Sequence, residues 1–94
     1  MFYEKEVKTL DDLMKAVRVL DEDSGIRLVG ALGRRKCLVF VTRFGQRFTM
    51  MTYGMRARTG APGSRLGARE FDDVEALVEA LRRVVPRRIR AYVY

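Results

Sequence analysis

Alternating apolar and polar positions along residues 34–55 predict two β-strands joined at Phe44-Gly45. Gly45 suits the positive φ that a tight hairpin turn requires. Since side chains alternate across a strand, each residue of the hairpin belongs to one of two faces. One face is mostly apolar and is predicted to be core, in the cross-strand pairs Val41/Phe48, Val39/Met50 and Cys37/Thr52.

The opposite face, called the outer face below, mixes aromatic, apolar and cationic side chains. It contains the pairs Thr42/Arg47, Phe40/Thr49, Leu38/Met51 and Lys36/Tyr53. A solvated face of an antiparallel sheet should be plainly polar. We therefore expect something to cover the outer face, and three partners are open: nucleic-acid bases, a second subunit, or another segment of the same chain.

The flanking segments are predicted to extend this sheet. Residues 26–33 form the preceding strand, and a loop at Arg34-Arg35 gives the core pairs Leu32/Cys37, Gly30/Val39 and Leu28/Val41. Both hairpins then agree on which face of the shared strand is core. Residues 89–94 form the last strand, with Arg90, Tyr92 and Tyr94 on the outer side. Residues 2–7 are an edge strand or an irregular arm.

Apolar residues at helical spacing predict two helices. The first follows Thr9 as N-cap and ends before Gly25, which suits a left-handed C-terminal position. The second begins with a capping box of Asp72 and Glu75 and stops at Pro86. Two helices that lead into strands of one sheet would pack on its apolar face.

Residues 54–70 contain four glycines, one proline and four arginines, without a helix or strand period. They predict a flexible Gly/Arg-rich loop. The glycines match no phosphate-binding motif, because no Lys follows them at the required spacing. Two interpretations are equally open: a flap that closes over an anion, or a flexible connector kept soluble by its charge.

These elements predict one α+β domain over residues 1–94. Its architecture is a two-layer sandwich, with two helices on one face of an antiparallel sheet of four strands, or five if residues 2–7 join it. No apolar run approaches the roughly 20 residues that span a bilayer, and no signal peptide is visible. A soluble, cytoplasmic protein is expected.

The net charge of +7 is unevenly distributed along the chain. Residues 26–70 have a net charge of +9, against −3 for residues 1–25 and +1 for residues 71–94. Fifteen of the nineteen cations are Arg, which favours forked contacts to phosphate and stacking on rings. The alternative explanation is a GC-rich coding bias that raises Arg together with Ala, Gly and Val.

Catalytic chemistry has little support. The chain has no His, the commonest general base and transition-metal ligand. The single Cys37 lies on the predicted core face, where a thiol acts as a small hydrophobe rather than a nucleophile. We therefore expect no enzyme activity, no metal site and no cofactor.

Binding of single-stranded nucleic acid accounts for most of the remaining features, because such proteins combine a cationic groove with aromatic platforms. The predicted binding residues are Arg27, Lys36, Phe40, Arg43, Arg47, Met51, Tyr53, Arg56, Arg58, Arg65, Arg90, Tyr92 and Tyr94. Neither helix is basic along its outer side as a duplex-reading helix usually is. The alternative is a homo-oligomeric module, without catalytic activity, that binds RNA or acidic proteins.

The order of helix, three-stranded meander, Gly/Arg loop, helix and final strand resembles the archaeal ThermoDBP-type, or ThermoDBP-related, single-stranded DNA-binding proteins. The resemblance covers nearly the whole chain and includes the aromatic and basic side chains on the strands. It implies a four-stranded antiparallel sheet beside two helices and sequence-independent binding of single-stranded DNA. It also implies assembly into a homo-oligomer, a dimer or a tetramer.

Overall fold

A computed structural model describes residues 5–56, 58–86 and 88–94. These residues form six strands and two helices: β1 Lys5–Val7, α1 Leu10–Arg18, β2 Gly25–Leu32, β3 Arg35–Phe44, β4 Arg47–Met55, β5 Pro62–Phe71, α2 Val74–Val84 and β6 Ala91–Val93. The strands make one antiparallel sheet in the order β1-β6-β2-β3-β4-β5. The predicted α+β class is confirmed, with a sheet wider than the four or five strands expected.

Both helices pack on one face of the sheet. Leu13 and Val17 of α1 and Leu77 and Leu81 of α2 are fully buried in a cluster with the inward-facing residues of the strands. Those strand residues include Ile26, Leu28, Val39, Val41 and Ala91, each at most 1% exposed. Burying one large aliphatic side chain contributes about 1.5–3 kcal/mol, so this layer dominates the stability of the fold.

The two central hairpins differ from the predicted register by two residues each. Their loops are Gly33-Arg34 and Gly45-Gln46, and both glycines have φ +63°. A Gly with positive φ at the first loop position is typical of a type II′ turn, which matches the twist of paired strands. Val39 consequently pairs with Leu28 and Thr52. A shift of two residues preserves the side-chain faces, so the predicted division between the two faces is confirmed, although Leu32, predicted as core, is 42% exposed at the end of β2.

The predicted helix ends need two corrections. Gly25 does not terminate α1, which ends at Arg18; Gly25 starts β2, where the Tyr94 ring would lie 2.6 Å from an added Cβ. The N-cap of α2 is Asp73 rather than Asp72, because the Asp73 carboxylate accepts a hydrogen bond of 3.0 Å from the backbone N–H of Glu75. The prediction of Thr9 as N-cap of α1 is confirmed by its 3.1 Å bond from the N–H of Asp12.

The prediction of a loop without secondary structure over residues 54–70 is wrong for most of that segment. Pro62–Phe71 forms β5, which pairs with β4 along an edge of the sheet. A turn between the two strands is closed by backbone bonds from Arg56 N–H to Ala61 O, 2.9 Å, and from Gly60 N–H to Arg56 O, 2.8 Å. Register shifts beside Tyr53 break the two-residue alternation, which hid this strand in the sequence.

The chain ends are only partly covered by the described residues. The predicted first strand, residues 2–7, is observed as Lys5–Val7, and residues 2–4 lie outside the described part. The last strand is shorter than predicted, Ala91–Val93, and it pairs with both β1 and β2.

Cys37 is fully buried on the helix side of β3, as predicted for a small core hydrophobe. Burial raises the pKa of its thiol, because removal from water disfavours the thiolate.

In the part of the chain that the structure describes, neither helix is long and apolar enough to cross a membrane.

The positive φ of Gly45 predicts a destabilising effect of Gly45→Ala. An L-residue in the left-handed region costs about 1–2 kcal/mol, so the free energy of unfolding should fall by that amount. Gly67→Ala is the control, because Gly67 lies in β5 with an ordinary φ and an added Cβ would meet nothing within 4 Å. There Ala should be neutral or stabilising. Urea unfolding followed by circular dichroism measures both; equal losses would contradict the role of φ.

Candidate nucleic-acid interface

Phe40 lies near the centre of the outer face. It faces Arg27 on β2 and Met51 on β4, on the side of the sheet opposite the helices. The Phe40 and Tyr53 rings meet edge to face, with centroids 5.7 Å apart and planes at 82°. The Tyr53 hydroxyl lies 3.9 Å from the Met51 sulfur. All four side chains are half-buried, so these contacts leave aromatic surface open to a ligand.

Tyr92 supplies a second ring on the same face. It pairs with Arg27 across β6 and β2, and the Arg27 guanidinium carbon lies 5.0 Å from the centre of the Tyr92 ring. This cation–π contact holds a guanidinium against a ring. The neighbouring Arg90 is exposed, and its backbone carbonyl accepts a 2.9 Å bond from the N–H of Val29, which ties this end of the chain to β2.

The turn between β4 and β5 covers part of the outer face. Leu38 points away from the helices and lies outside the helix-side cluster, yet it is only 6% exposed. It lines a cavity of about 390 Å³, called the outer groove below. The sheet side of the outer groove includes Arg27, Phe40, Arg90 and Tyr92. Its other side is formed by Thr59, Gly60 and Ala61 of the turn and by Pro62 at the start of β5. Part of the outer face is therefore covered by a segment of the same chain, which is one of the three partners expected for it.

A second depression of about 430 Å³ lies on the far side of the same turn. Arg35, Lys36 and Arg56 line it, together with Met55 and Gly60, which also line the outer groove. No Asp or Glu among the described residues lines either concavity. Cationic groups thus continue from one side of the turn to the other.

Most of the predicted binding residues lie around these two concavities. Arg27, Phe40, Arg90 and Tyr92 line the outer groove, and Lys36 and Arg56 line the depression. Four more adjoin them: Met51 and Tyr53 beside Phe40, exposed Arg58 in the turn, and exposed Arg65 opposite Tyr53 on β5. Tyr94 does not line either concavity. Its backbone exchanges two hydrogen bonds with Gly25, the first residue of β2.

The structure removes Arg43 from the interface. Its side chain points to the helix side, where Nη1 donates to the Leu20 carbonyl at 2.8 Å and Nε donates to the Gly45 carbonyl at 2.7 Å. Its guanidinium carbon also lies 5.6 Å from the centre of the Phe48 ring. Arg43 has the same strand parity as Val41, so alternation alone assigns it to this face. Its two hydrogen bonds join the α1–β2 connection to the β3–β4 turn.

Arg47 is on the outer side but at the wrong end of the sheet. It pairs with Phe44 beside the β3–β4 turn, whereas the outer groove adjoins the β4–β5 turn. Its guanidinium lies 3.2 Å from an Asp72 carboxylate oxygen and 3.5 Å from one of Glu70. These acids balance its charge, so Arg47 also leaves the candidate interface.

The sequence did not predict the residues that form one side of the outer groove, which are Thr59, Gly60 and Ala61 of the turn and Pro62 at the start of β5. Their signal was present as the Gly-Ala-Pro-Gly run at residues 60–63, which is typical of a turn between strands. Gly60 has φ +69°, as such a turn requires.

Charge pairing on the helices lies away from the outer groove. The Arg18 Nε lies 3.2 Å from a Glu75 carboxylate oxygen, which joins α1 to α2. This hydrogen bond and charge lower the pKa of Glu75 and raise the pKa of Arg18. Within the described ranges, no group of three or more His, Cys, Asp or Glu residues is placed to hold a metal ion.

Comparisons of the chain with protein-family models, curated proteins and solved structures give no match. Support for a function therefore comes from the geometry of the outer face.

Arg43 and Arg47, the two arginines that lie away from the outer groove, differ in their contacts, and this difference gives a stability prediction. Arg43→Gln should lower the free energy of unfolding by roughly 1.5–3 kcal/mol, because two carbonyls lose a charged donor. Arg47→Gln removes the same charge but only exposed ion pairs, which contribute less than about 1 kcal/mol. Urea unfolding of both variants compares them directly. If Arg47→Gln lowers the free energy of unfolding as much as Arg43→Gln does, the hydrogen bonds of Arg43 do not have the structural role assigned to them.

Proposed function

We propose that this protein binds single-stranded DNA on its outer face, with little sequence preference and without catalysis. The observation that carries the proposal is the grouping of aromatic rings and cations on the sheet face opposite the helices, around two concavities that no Asp or Glu of the described residues lines. Such a surface suits a ligand that combines flat apolar faces with a chain of negative charges. Single-stranded nucleic acid has both properties.

The rings support binding through the faces of the bases. Phe40, Tyr53 and Tyr92 are half-buried, so their backbone positions are set while part of each ring is accessible. Stacking of one base on an aromatic side chain contributes roughly 1–3 kcal/mol, and every base has such a face. Duplex DNA hides those faces within its own stack. The proposed ligand is therefore single-stranded, and sequence preference is weak.

The cations support contact with the phosphates. Arg90 lies beside the outer groove, while Lys36 and Arg56 lie beyond the turn and Arg65 lies across from Tyr53. The guanidinium groups of the three arginines offer planar, forked donors that match phosphate oxygens, and Lys36 adds a compact ammonium charge. The strand path we propose runs from Arg90 past Phe40 to the far side of the turn.

The resemblance to ThermoDBP-type proteins supports the same proposal and extends it to a homo-oligomer, a dimer or a tetramer. Exposed apolar residues outside the outer groove, such as Leu66 on the edge strand β5, are available for contact between copies. Assembly through such surfaces would leave the outer face open to the strand.

The salt dependence of binding tests the charge component. Fluorescence anisotropy of a labelled oligothymidine at several salt concentrations should show affinity that falls as salt rises. The expected slope of log affinity against log salt is about −0.7 for each phosphate neutralised, so four cations predict about −3. A polyglutamate of equal charge should compete poorly, because it lacks flat bases. No binding at low salt would remove the proposal, and equal competition would favour an acidic protein as partner.

Ring substitutions test the stacking component. Phe40→Ala and Tyr92→Ala should each weaken oligothymidine binding by roughly 5- to 150-fold, which corresponds to the 1–3 kcal/mol of one stacked base. Phe44→Ala is the matched control, since Phe44 is 84% exposed beside the β3–β4 turn, away from the outer groove. The control should keep wild-type affinity. If Phe44→Ala and Phe40→Ala weaken binding equally, stacking is not confined to the part of the outer face beside the outer groove.

A further inference from the structure

The outer groove has the size of a site for one small ligand rather than an open track. Its volume is about 390 Å³, near the lower end of the roughly 300–1,000 Å³ typical of small-molecule sites. Residues from β2, β3 and β6 form one side and the β4–β5 turn forms the other. A run of stacked bases would extend beyond it, whereas one nucleotide fits between the sheet and the turn.

The turn that closes the outer groove is built as a fixed wall. Arg56 and Ala61 close it through a 2.9 Å backbone bond, and the Ala61 N–H also donates to the Thr59 hydroxyl at 3.2 Å. The Gly60 Cα lies so close to Met55 that an added Cβ would be 3.3 Å from the Met55 methyl carbon. These contacts hold the wall in place before a ligand arrives, which reduces the entropic cost of binding.

The lining supplies contacts for both parts of a nucleotide. Arg27 is held against Tyr92 and lies beside Phe40, and bases stack on guanidinium planes as they do on aromatic rings. Exposed Arg90 lies at the same groove, where it can donate to a phosphate. No acidic side chain among the described residues lines the outer groove itself, and Glu6, the cross-strand neighbour of Tyr92, lies in an adjoining depression with Arg90.

We propose that the outer groove captures a single unstacked nucleotide of the bound strand, with its base beside Arg27 and its phosphate on Arg90. This inference rests on the proposed function and assigns one subsite within it. It has a consequence that strand binding alone does not have: the protein also binds a free nucleoside monophosphate, in competition with the strand. The rest of the strand lies outside the outer groove, towards Tyr53 and Lys36.

The test measures binding of thymidine 5′-monophosphate by NMR titration at low salt, with thymidine and inorganic phosphate as reference ligands. The nucleotide should shift the amide signals of Thr59 and Tyr92, bind more tightly than either reference, and displace a labelled oligothymidine. Ala61→Phe places a ring in the outer groove and should abolish nucleotide binding. The matched control is Ala76→Phe, at an exposed position of α2, and it should leave binding unchanged.

A second pair of variants keeps the test decisive if Ala61→Phe disturbs the turn. Arg90→Gln should weaken nucleotide binding by roughly tenfold or more, as expected for one lost charge-assisted hydrogen bond. Arg83→Gln removes the same charge from the exposed side of α2 and should have no effect.

The outcomes separate this inference from the proposed function. Failure of the nucleotide to bind at millimolar concentration, with oligothymidine binding intact, overturns the subsite alone. Inorganic phosphate that binds as tightly as the nucleotide also overturns it, because the base would then contribute nothing. Failure of both the nucleotide and the oligonucleotide to bind overturns both proposals. If Ala61→Phe folds correctly and leaves nucleotide binding unchanged, the nucleotide binds elsewhere, and the proposed subsite is overturned.

Discussion

The burial of one sheet face under α1 and α2 is the constraint on which the rest of this structure depends. Ile26, Leu28 and Val39 are fully enclosed there with residues from both helices. Because strand side chains alternate, turning these residues inward obliges Arg27 and Phe40 to face outward. The outer face is thus a direct consequence of the core, and residues could not move between the two without exposing the apolar layer to water.

The same division separates charge in space. The acids of the α1 segment and the α1–β2 connection are exposed on the helix side or at the end of the sheet that carries the β3–β4 turn, where Glu22 accepts a 2.7 Å bond from the Gly45 N–H. Asp72 and Glu70 balance Arg47 at that same end. The concavities at the other end, beside the β4–β5 turn, have cationic linings. Cations therefore outnumber acids around the rings, where Glu6 is the cross-strand neighbour of Tyr92, and this excess of positive charge attracts an anionic ligand to the surface on which it can stack.

The β4–β5 turn converts a flat face into a concave one. Leu38 shows this most clearly, since it is almost fully enclosed on a side of the sheet where no helix packs. The turn leaves Phe40 and Tyr92 half-buried, so it covers the apolar centre of the face while the rings remain accessible. A covering segment and a ligand are compatible partners for one face when each takes a different part of it.

Sequence alone determined the fold class, the helices, the division of residues between the two faces and the buried position of Cys37. These follow from local periodicity, and periodicity survived even the two-residue errors in both hairpins, because an even shift leaves every side chain on its face. Tertiary structure alone decided the features that join distant segments. Strand β5 is stabilised by pairing with β4 across register shifts that erase its alternation, and Arg43 is held by the carbonyl of Leu20, 23 residues away. The outer groove exists only where turn residues 59–61 meet β2, β3 and β6, and the positions of such contacts are not encoded in any one stretch of the chain.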